Sequence, residues 1–195
     1  MCSRYGGTGK TILCCGIAAY VSSGRALPGD AFDGEGRNVL IISSEDPGNI
    51  LKKRLKLSGA DMRRVKILDC IGSEGMSIAD KYEEFEATVM HYKPALVMLD
   101  PWHAFLGENV DINRINALRP ILQKVTRLAK SCACSLIQVS HVGKRAQGEN
   151  ANNAAVGSVD LVNASRSAFR VIFDETDEDC RILVHTKSNY APYGK

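Results

Sequence analysis

The sequence predicts an α/β protein in which helices cover both faces of a mostly parallel sheet, with an antiparallel hairpin near the C-terminus. Up to residue 141, short runs of β-branched and other apolar residues alternate with segments of helical periodicity, which is typical of a parallel sheet between helices. Beyond residue 166, two β-rich segments follow each other across the acidic turn DETDED, which predicts a hairpin added to that sheet. The 195 residues contain no internal repeat or linker, so we expect one domain, residues 1–195.

The helices are predicted from the spacing of apolar residues. The first is apolar on most sides, so we expect it to be buried between layers. Leu51 and Leu55 share one face of the second, LKKRLK, whose basic residues predict a solvated surface in preference to a nucleic-acid contact. Pro120 marks a kink or a new first turn in the fourth. The predicted helices span residues 11–22, 49–59, 80–92 and 112–128.

The strands are predicted from short β-rich runs. Four of these runs are almost continuously apolar, as expected for parallel strands that are buried on both faces. They span residues 37–44, 65–70, 95–100 and 135–141, and the hairpin strands span residues 167–173 and 180–186.

Composition excludes several classes of protein. Hydrophobic residues make up 45% and charged residues 24%, and the net charge of +3 is too small to identify a nucleic-acid binder. No apolar run is long enough to cross a membrane, and ILCCGIAAYV lacks the cleavage site of a signal peptide. The seven cysteines lack the spacing of a zinc site, so we expect reduced, mostly buried thiols in a cytoplasmic protein.

The stretch GGTGKT has the composition of a phosphate-binding loop. Its glycines can turn several backbone N–H groups towards one anion, and the next helix presents its positive N-terminus there. Lys10 adds positive charge near the outer phosphates, and Thr11 offers a hydroxyl to Mg²⁺. Arg4 stands where the full pattern has its first glycine, and the alternative is a glycine turn before a buried helix. The candidate nucleotide-binding residues are Gly6, Gly7, Thr8, Gly9, Lys10 and Thr11.

Polar residues follow three of the buried strands. Asp100 ends ALVMLD, where it can bind Mg²⁺ or its water, or alternatively form only a turn with Pro101. In SSEDP, Asp46 before Pro47 predicts a helix N-cap, which leaves Glu45 free to polarise an attacking water. His141 follows QVS at the end of another strand, and a structural and a functional role remain open for it.

The order of these motifs resembles that of a RecA-like P-loop ATPase. The succession GGTGKT, SSEDP, LDP, QVSH, a glycine-rich loop, GSVDLVNASRS and HTKSNYAP is most similar to the RepA-type hexameric replicative helicase group of phages and mobile elements. The resemblance covers nearly the whole chain. It implies a three-layer RecA-like core, ATP and Mg²⁺ as ligands, a homohexamer and single-stranded DNA as a partner.

The resemblance also implies roles for individual residues. Lys10 and Thr11 would bind phosphate and Mg²⁺, Asp100 would be the second Mg²⁺ residue, Glu45 the catalytic base and His141 the γ-phosphate sensor. Arg166 would be an arginine finger, for which the alternative is a surface ion pair with Asp160. The remaining assignments are Lys187 near the neighbour's nucleotide and Lys144 and Arg145 in the DNA-facing loop of the central channel.

One departure from the family concerns the start of the chain. Only MCSR precedes the loop, so the strand that should lead into it, between the QVSH strand and the hairpin, is missing, and we expect a chain truncated at both ends. Three alternatives remain for the function: a RecA- or RadA-like recombinase, a KaiC-like regulatory ATPase, and a nucleotide-binding remnant without activity. A small-molecule kinase fits less well, because Glu45 suits water activation better than acceptor binding.

Overall fold

The computed structural model describes residues 7–29, 34–71, 77–107, 115–141, 158–190 and 192. Four parallel strands form one sheet in the order β2-β1-β3-β4. Val39 of β1 pairs with Val65 of β2 and with Leu96 of β3, and Leu96 pairs in turn with Ser135 of β4. The strands are β1 (Val39–Ser43), β2 (Val65–Asp69), β3 (Leu96–Asp100) and β4 (Ser135–Gln138).

Helices lie on both faces of this sheet, as predicted. They are α1 (Lys10–Ser23), α2 (Gly48–Leu57), α3 (Tyr82–Tyr92), α4 (Ile115–Ser131) and α5 (Ser158–Ala164), with a short 3-10 turn at Trp102–Phe105. Successive residues of β1 alternate between two hydrophobic cores: Leu40 packs with α3 and α4, and Ile41 packs with α1 and α2. Since both faces of β1 and β3 are covered, these strands are buried throughout, which explains their unbroken apolar sequences.

One detail of the helices differs from the prediction, and one of the two alternatives for Pro120 is excluded. Helix α1 is buried on one side only: Cys15 and Ala18 face β1, β3 and α2, whereas Ile12 is 61% exposed and Leu13 38% exposed. Although α1 is apolar on most sides, it is not enclosed, because no described element covers the face that carries Ile12 and Leu13. Pro120 lies inside α4 and does not begin a new helix. Among the described helices, none has the length and hydropathy that crossing a membrane requires.

The C-terminal hairpin forms as predicted but does not extend the parallel sheet. Strands β5 (Ser167–Phe173) and β6 (Arg181–Ser188) pair antiparallel in a separate two-stranded sheet. The expectation that the hairpin adds to the parallel sheet is therefore wrong for the described residues. The physical reason is that no described strand carries hydrogen bonds from β4 to the hairpin, so β4 is an edge strand. Residues 1–6, which precede the glycine-rich loop, lie outside the described part.

Candidate functional site

The carboxyl edge of the parallel sheet brings together four of the predicted site residues. Asp100 is the last residue of β3, Glu45 follows β1 by two residues, and His141 follows β4 by three. Thr11 is the second residue of α1, whose N-terminus lies beside the same edge. Because the carboxyl ends of parallel strands meet at one edge, residues that are 89 and 96 positions apart in the chain come into direct contact.

The described part of the glycine-rich loop has the backbone expected of a phosphate-binding loop. Gly7 has φ +100° and Gly9 has φ +88°, values that side chains rarely tolerate. A Cβ atom at either position would meet nothing within 4 Å, so conformation requires glycine here and the space around it is open. Gly9 caps α1 without a side-chain hydrogen bond, and the first turn has no acidic residue. The amino end of α1 therefore remains available to an anion.

Two further residues of the loop, Lys10 and Thr8, contact each other. The Lys10 ammonium donates to Thr8 Oγ1 at 3.0 Å, which keeps both side chains at the loop. Gly6 lies outside the described residues. The roles of these residues in binding phosphate remain predictions.

Thr11 and Asp100 form the first direct contact of the site. Thr11 Oγ1 donates to Asp100 Oδ2 at 2.9 Å, and Asp100 is only 4% exposed. Its second oxygen, Oδ1, is buried and has no hydrogen-bond partner among the described residues. Burial raises the pKa of Asp100, the hydrogen bond from Thr11 opposes this, and the charges of Glu45 and Asp46 raise it further. A cation at this point would relieve the burial of an incompletely paired carboxylate.

The donor set here fits Mg²⁺. A hydroxyl and a carboxylate are hard oxygen ligands, and Asp100 Oδ1 is an acceptor without a partner in the described structure. The described residues contain no cluster of three or more His, Cys, Asp or Glu side chains that could enclose a metal. Mg²⁺ is commonly held by one or two protein ligands together with substrate phosphates and water, so Thr11 and Asp100 suffice on the protein side.

Glu45 and His141 form the second direct contact. His141 Nε2 lies 2.9 Å from Glu45 Oε2, and the side chains are 39% and 53% exposed, so a ligand can reach both. The ring of His103 stands edge-on to that of His141, with 6.2 Å between centroids. Burial lowers the pKa of His103, and its Nδ1 is buried without a partner among the described residues. Sequence reasoning missed His103, although it lies three residues beyond Asp100 in the same strand-tip segment.

The predicted N-cap role of Asp46 is wrong. Helix α2 begins at Gly48, and its N-cap residue, Pro47, makes no side-chain capping hydrogen bond. Asp69, at the end of β2, takes that role instead: its Oδ2 accepts the Gly48 N–H at 2.8 Å. This bond is the main cause that lowers the pKa of Asp69, and a second bond, which the Ile71 N–H donates to the same carboxylate, lowers it further. Asp46 instead forms an ion pair with Arg54 of α2. Local spacing could not reveal a cap supplied from 21 residues away.

Arg166 and Lys187, the candidate residues beside and within the hairpin, contact parts of the chain other than the glycine-rich loop. The Arg166 guanidinium lies over the Tyr190 ring, 5.6 Å from its centroid. Lys187 Nζ donates to the carbonyls of Val162, Asn163 and Ser165 at 2.7–2.8 Å, so it caps the carboxyl end of α5. None of these contacts involves the glycine-rich loop. The roles of Arg166 and Lys187 at a neighbour's nucleotide stay predictions, and the Asp160 side chain lies outside the described residues.

The sequence contains two groups of basic residues: Lys144 and Arg145, predicted to contact DNA, and those of LKKRLK, predicted to form a solvated surface. Lys144 and Arg145 lie outside the described residues, so their role stays a prediction. In α2, Leu51 and Leu55 are buried, which confirms the predicted apolar face, and the three lysines of LKKRLK are exposed.

The described cysteines are free thiols. Burial is the main cause that raises the pKa of Cys14 to about 12 and that of Cys15 to about 11. Both thiols therefore remain protonated at neutral pH and pack as apolar groups between α1 and the sheet, as the apolar surroundings of these residues in the sequence predict.

No curated protein sequence matches this chain. The family model of an AAA domain matches residues 5–147, which is more than half of the chain and contains the loop and all three strand tips. The chain therefore belongs to the AAA domain family, whose members are RecA-like P-loop NTPases that bind nucleotide, typically with Mg²⁺, and generally hydrolyse ATP.

Proposed function

We propose that this chain is the ATP-hydrolysing motor domain of a hexameric DNA helicase of the RepA-type replication group. The observation that carries the ATPase part is the pair of contacts Thr11–Asp100 and Glu45–His141 at one edge of the sheet. These contacts place a candidate metal site next to a candidate base, as hydrolysis of a nucleotide requires. The helicase part rests on the order of the motifs beyond His141 and on the basic loop residues Lys144 and Arg145.

The proposed reaction assigns one task to each residue. Lys10 and the loop N–H groups bind the phosphates, and Thr11 and Asp100 hold Mg²⁺, which offsets phosphate charge when bound. Water attacks the γ-phosphorus, and an O–P bond forms as the bond from that phosphorus to the β–γ bridging oxygen breaks. The proton of the water moves to the Glu45 carboxylate. His141 donates a hydrogen bond to the γ-phosphate.

The direct contact between Glu45 and His141 gives this reaction an order of events. In this contact each side chain occupies the other's hydrogen-bonding group. A γ-phosphate is a charged acceptor like the Glu45 carboxylate, so in our proposal it takes the hydrogen bond of His141 and leaves Glu45 free to bind water. Both side chains are exposed enough for this exchange.

Assembly completes the proposed site. Phosphoryl transfer needs positive charge on the leaving γ-phosphate, and an arginine from a neighbouring subunit supplies it in many P-loop enzymes. Arg166 is our candidate, since its partner in the described structure is the 77% exposed ring of Tyr190, which it can leave at little cost. Lys144 and Arg145 would contact single-stranded DNA in the centre of the ring.

The test measures phosphate release with and without single-stranded DNA, together with unwinding of a forked duplex. We expect DNA to stimulate hydrolysis, the stimulation to fall with salt, and Lys10→Ala to abolish both activities. Hydrolysis that DNA leaves unchanged would contradict the helicase proposal and favour a regulatory ATPase. Filament formation on DNA without unwinding would instead favour a recombinase.

A further inference from the structure

The ion pair between Asp46 and Arg54 has no part in the reaction described above. Asp46 directly follows Glu45, and Arg54 lies on the second turn of α2. The side chains are 23% and 34% exposed, so the pair is half enclosed and not a flexible surface contact. A half-enclosed ion pair next to a candidate base can fix the position of that base or neutralise a nearby carboxylate.

The pair joins the segment after β1 to α2, a helix that packs against α1. Arg54 stands next to Leu55, which packs with Leu51 against α1 in the second hydrophobic core, so the helix that carries the guanidinium is fixed. Asp46 directly follows Glu45, in the segment whose Ser44 N–H donates to the Asp100 carbonyl. Asp46 is therefore a third carboxylate near the candidate metal site, beside Glu45 and Asp100.

The segment that carries Glu45 is tied to the sheet by its backbone. The Ser44 N–H donates to the carbonyl of Asp100 at 3.1 Å, and the Asp46 N–H donates to Ser43 Oγ at 3.2 Å. The Asp46 carboxylate adds a side-chain tie from the segment to α2. The backbone of Glu45 thus lies between a bond to β3 on one side and a bond to α2 on the other.

We propose that Asp46 and Arg54 are positioning residues that fix the backbone of Glu45 and keep the charge of Asp46 from opposing nucleotide binding. The proposal rests on the function proposed above, because it takes Glu45 as the base. The Arg54 side chain has two effects in this proposal. Its bond to Asp46 fixes the position from which Glu45 contacts the attacking water. Its positive charge offsets the negative charge of one of the three carboxylates near the bound phosphates.

Four variants separate these consequences. Arg54→Met removes both the bond and the charge, Arg54→Lys keeps the charge, and Asp46→Asn with Arg54→Met removes both charges. Lys53→Met is the matched control, because Lys53 is an exposed neighbour on the same helix. The readouts are kcat and KM for ATP hydrolysis, the Kd of a fluorescent ATP analogue, and the thermal unfolding midpoint.

We expect Arg54→Met to lower kcat on the order of 10²-fold, as misplacement of a reacting group by about 1 Å does, and to raise the analogue's Kd. The double variant should restore Kd but leave kcat low, and Arg54→Lys should recover part of kcat. Lys53→Met should match the wild type. If Arg54→Met shows the kcat and Kd of Lys53→Met, or loses activity only in proportion to its unfolded fraction, the proposal is overturned.

A further variant separates this inference from the proposed function. If Glu45→Gln hydrolyses ATP at the wild-type rate, Glu45 is not the base, and the proposed reaction and the positioning role both fail. If Glu45→Gln is inactive while Arg54→Met equals the control, only the positioning role fails. The Kd readout decides the charge-balance role without reference to hydrolysis, because it needs nucleotide binding alone.

Discussion

The carboxyl edge of the parallel sheet and the C-terminal hairpin both carry predicted site residues, but they present them differently. At the sheet edge, Thr11 contacts Asp100 and Glu45 contacts His141. In the hairpin region, Arg166 contacts Tyr190 and Lys187 binds the end of α5. In the function that we propose, one chain supplies the groups for phosphate, metal and water, and a neighbouring chain supplies Arg166 and Lys187.

The largest expected effect concerns Arg166. If it acts on a neighbour's γ-phosphate, Arg166→Ala should lower kcat by about 10³–10⁵-fold while ATP binding changes little. Stopped-flow phosphate release and calorimetry on the same preparation measure the two quantities. Arg170→Ala, at a partly exposed arginine on β5, the strand that follows Arg166, provides the control.

A mixing experiment shows whether that arginine acts between subunits. Arg166→Ala and Lys10→Ala subunits are each expected to be inactive alone, but mixed rings contain some interfaces with both residues intact. Activity should return in part on mixing. Verified mixed assembly without recovery would contradict action between subunits.

Asp100→Asn should separate function from stability at the sheet edge. Asp100 is buried, burial raises its pKa, and one of its oxygens has no partner among the described residues, so asparagine should raise the unfolding midpoint of the protein when Mg²⁺ and nucleotide are absent. The same change should lower Mg²⁺-dependent hydrolysis by about 10²-fold or more, since metal stabilisation contributes several kcal/mol to the transition state. Calorimetric unfolding and phosphate release check the two halves, and a lowered midpoint would contradict the first.

Lys10→Ala should weaken ATP binding by about 1.5–3 kcal/mol, which is a factor of about 10–10² in Kd. The reason is the loss of a charge-assisted contact from the loop to a phosphate. Isothermal calorimetry measures the affinity, and Lys53→Ala is a control with the same change of charge. An unchanged Kd would show that the loop holds phosphate without its lysine.

The smallest expected effect concerns the helix that follows the Glu45 segment. Asp69→Ala removes the acceptor for the Gly48 N–H and should lower the urea midpoint of unfolding slightly, with little change in kcat. Urea unfolding measures the shift of the midpoint. If Asp69→Ala is as stable as the wild type, the hydrogen bond from the Gly48 N–H to Asp69 does not contribute to folding stability.

Much of the sheet edge could be predicted from the sequence, and much of the hairpin region could not. Continuous apolar runs identified β1 and β3, and parallel topology then placed Asp100 near the residues that follow β1 and β4. The partners of Asp46 and Asp69 could not be predicted, because two nearby carboxylates compete for one helix end and tertiary packing decides. The strand patterns predict the hairpin itself, but the partners of Arg166 and Lys187 depend on tertiary packing, which local patterns do not encode.

Glu45→Gln provides the measurement on which the proposed chemistry depends most. Phosphate release and nucleotide affinity should be measured side by side for this variant and the wild type, at saturating ATP and Mg²⁺. If Glu45 accepts the proton of the attacking water, hydrolysis should fall by about 10²–10⁴-fold while ATP binds as tightly as before or more tightly. Hydrolysis at the wild-type rate, with nucleotide bound, would contradict the assignment of Glu45 and of the sheet edge as the catalytic site.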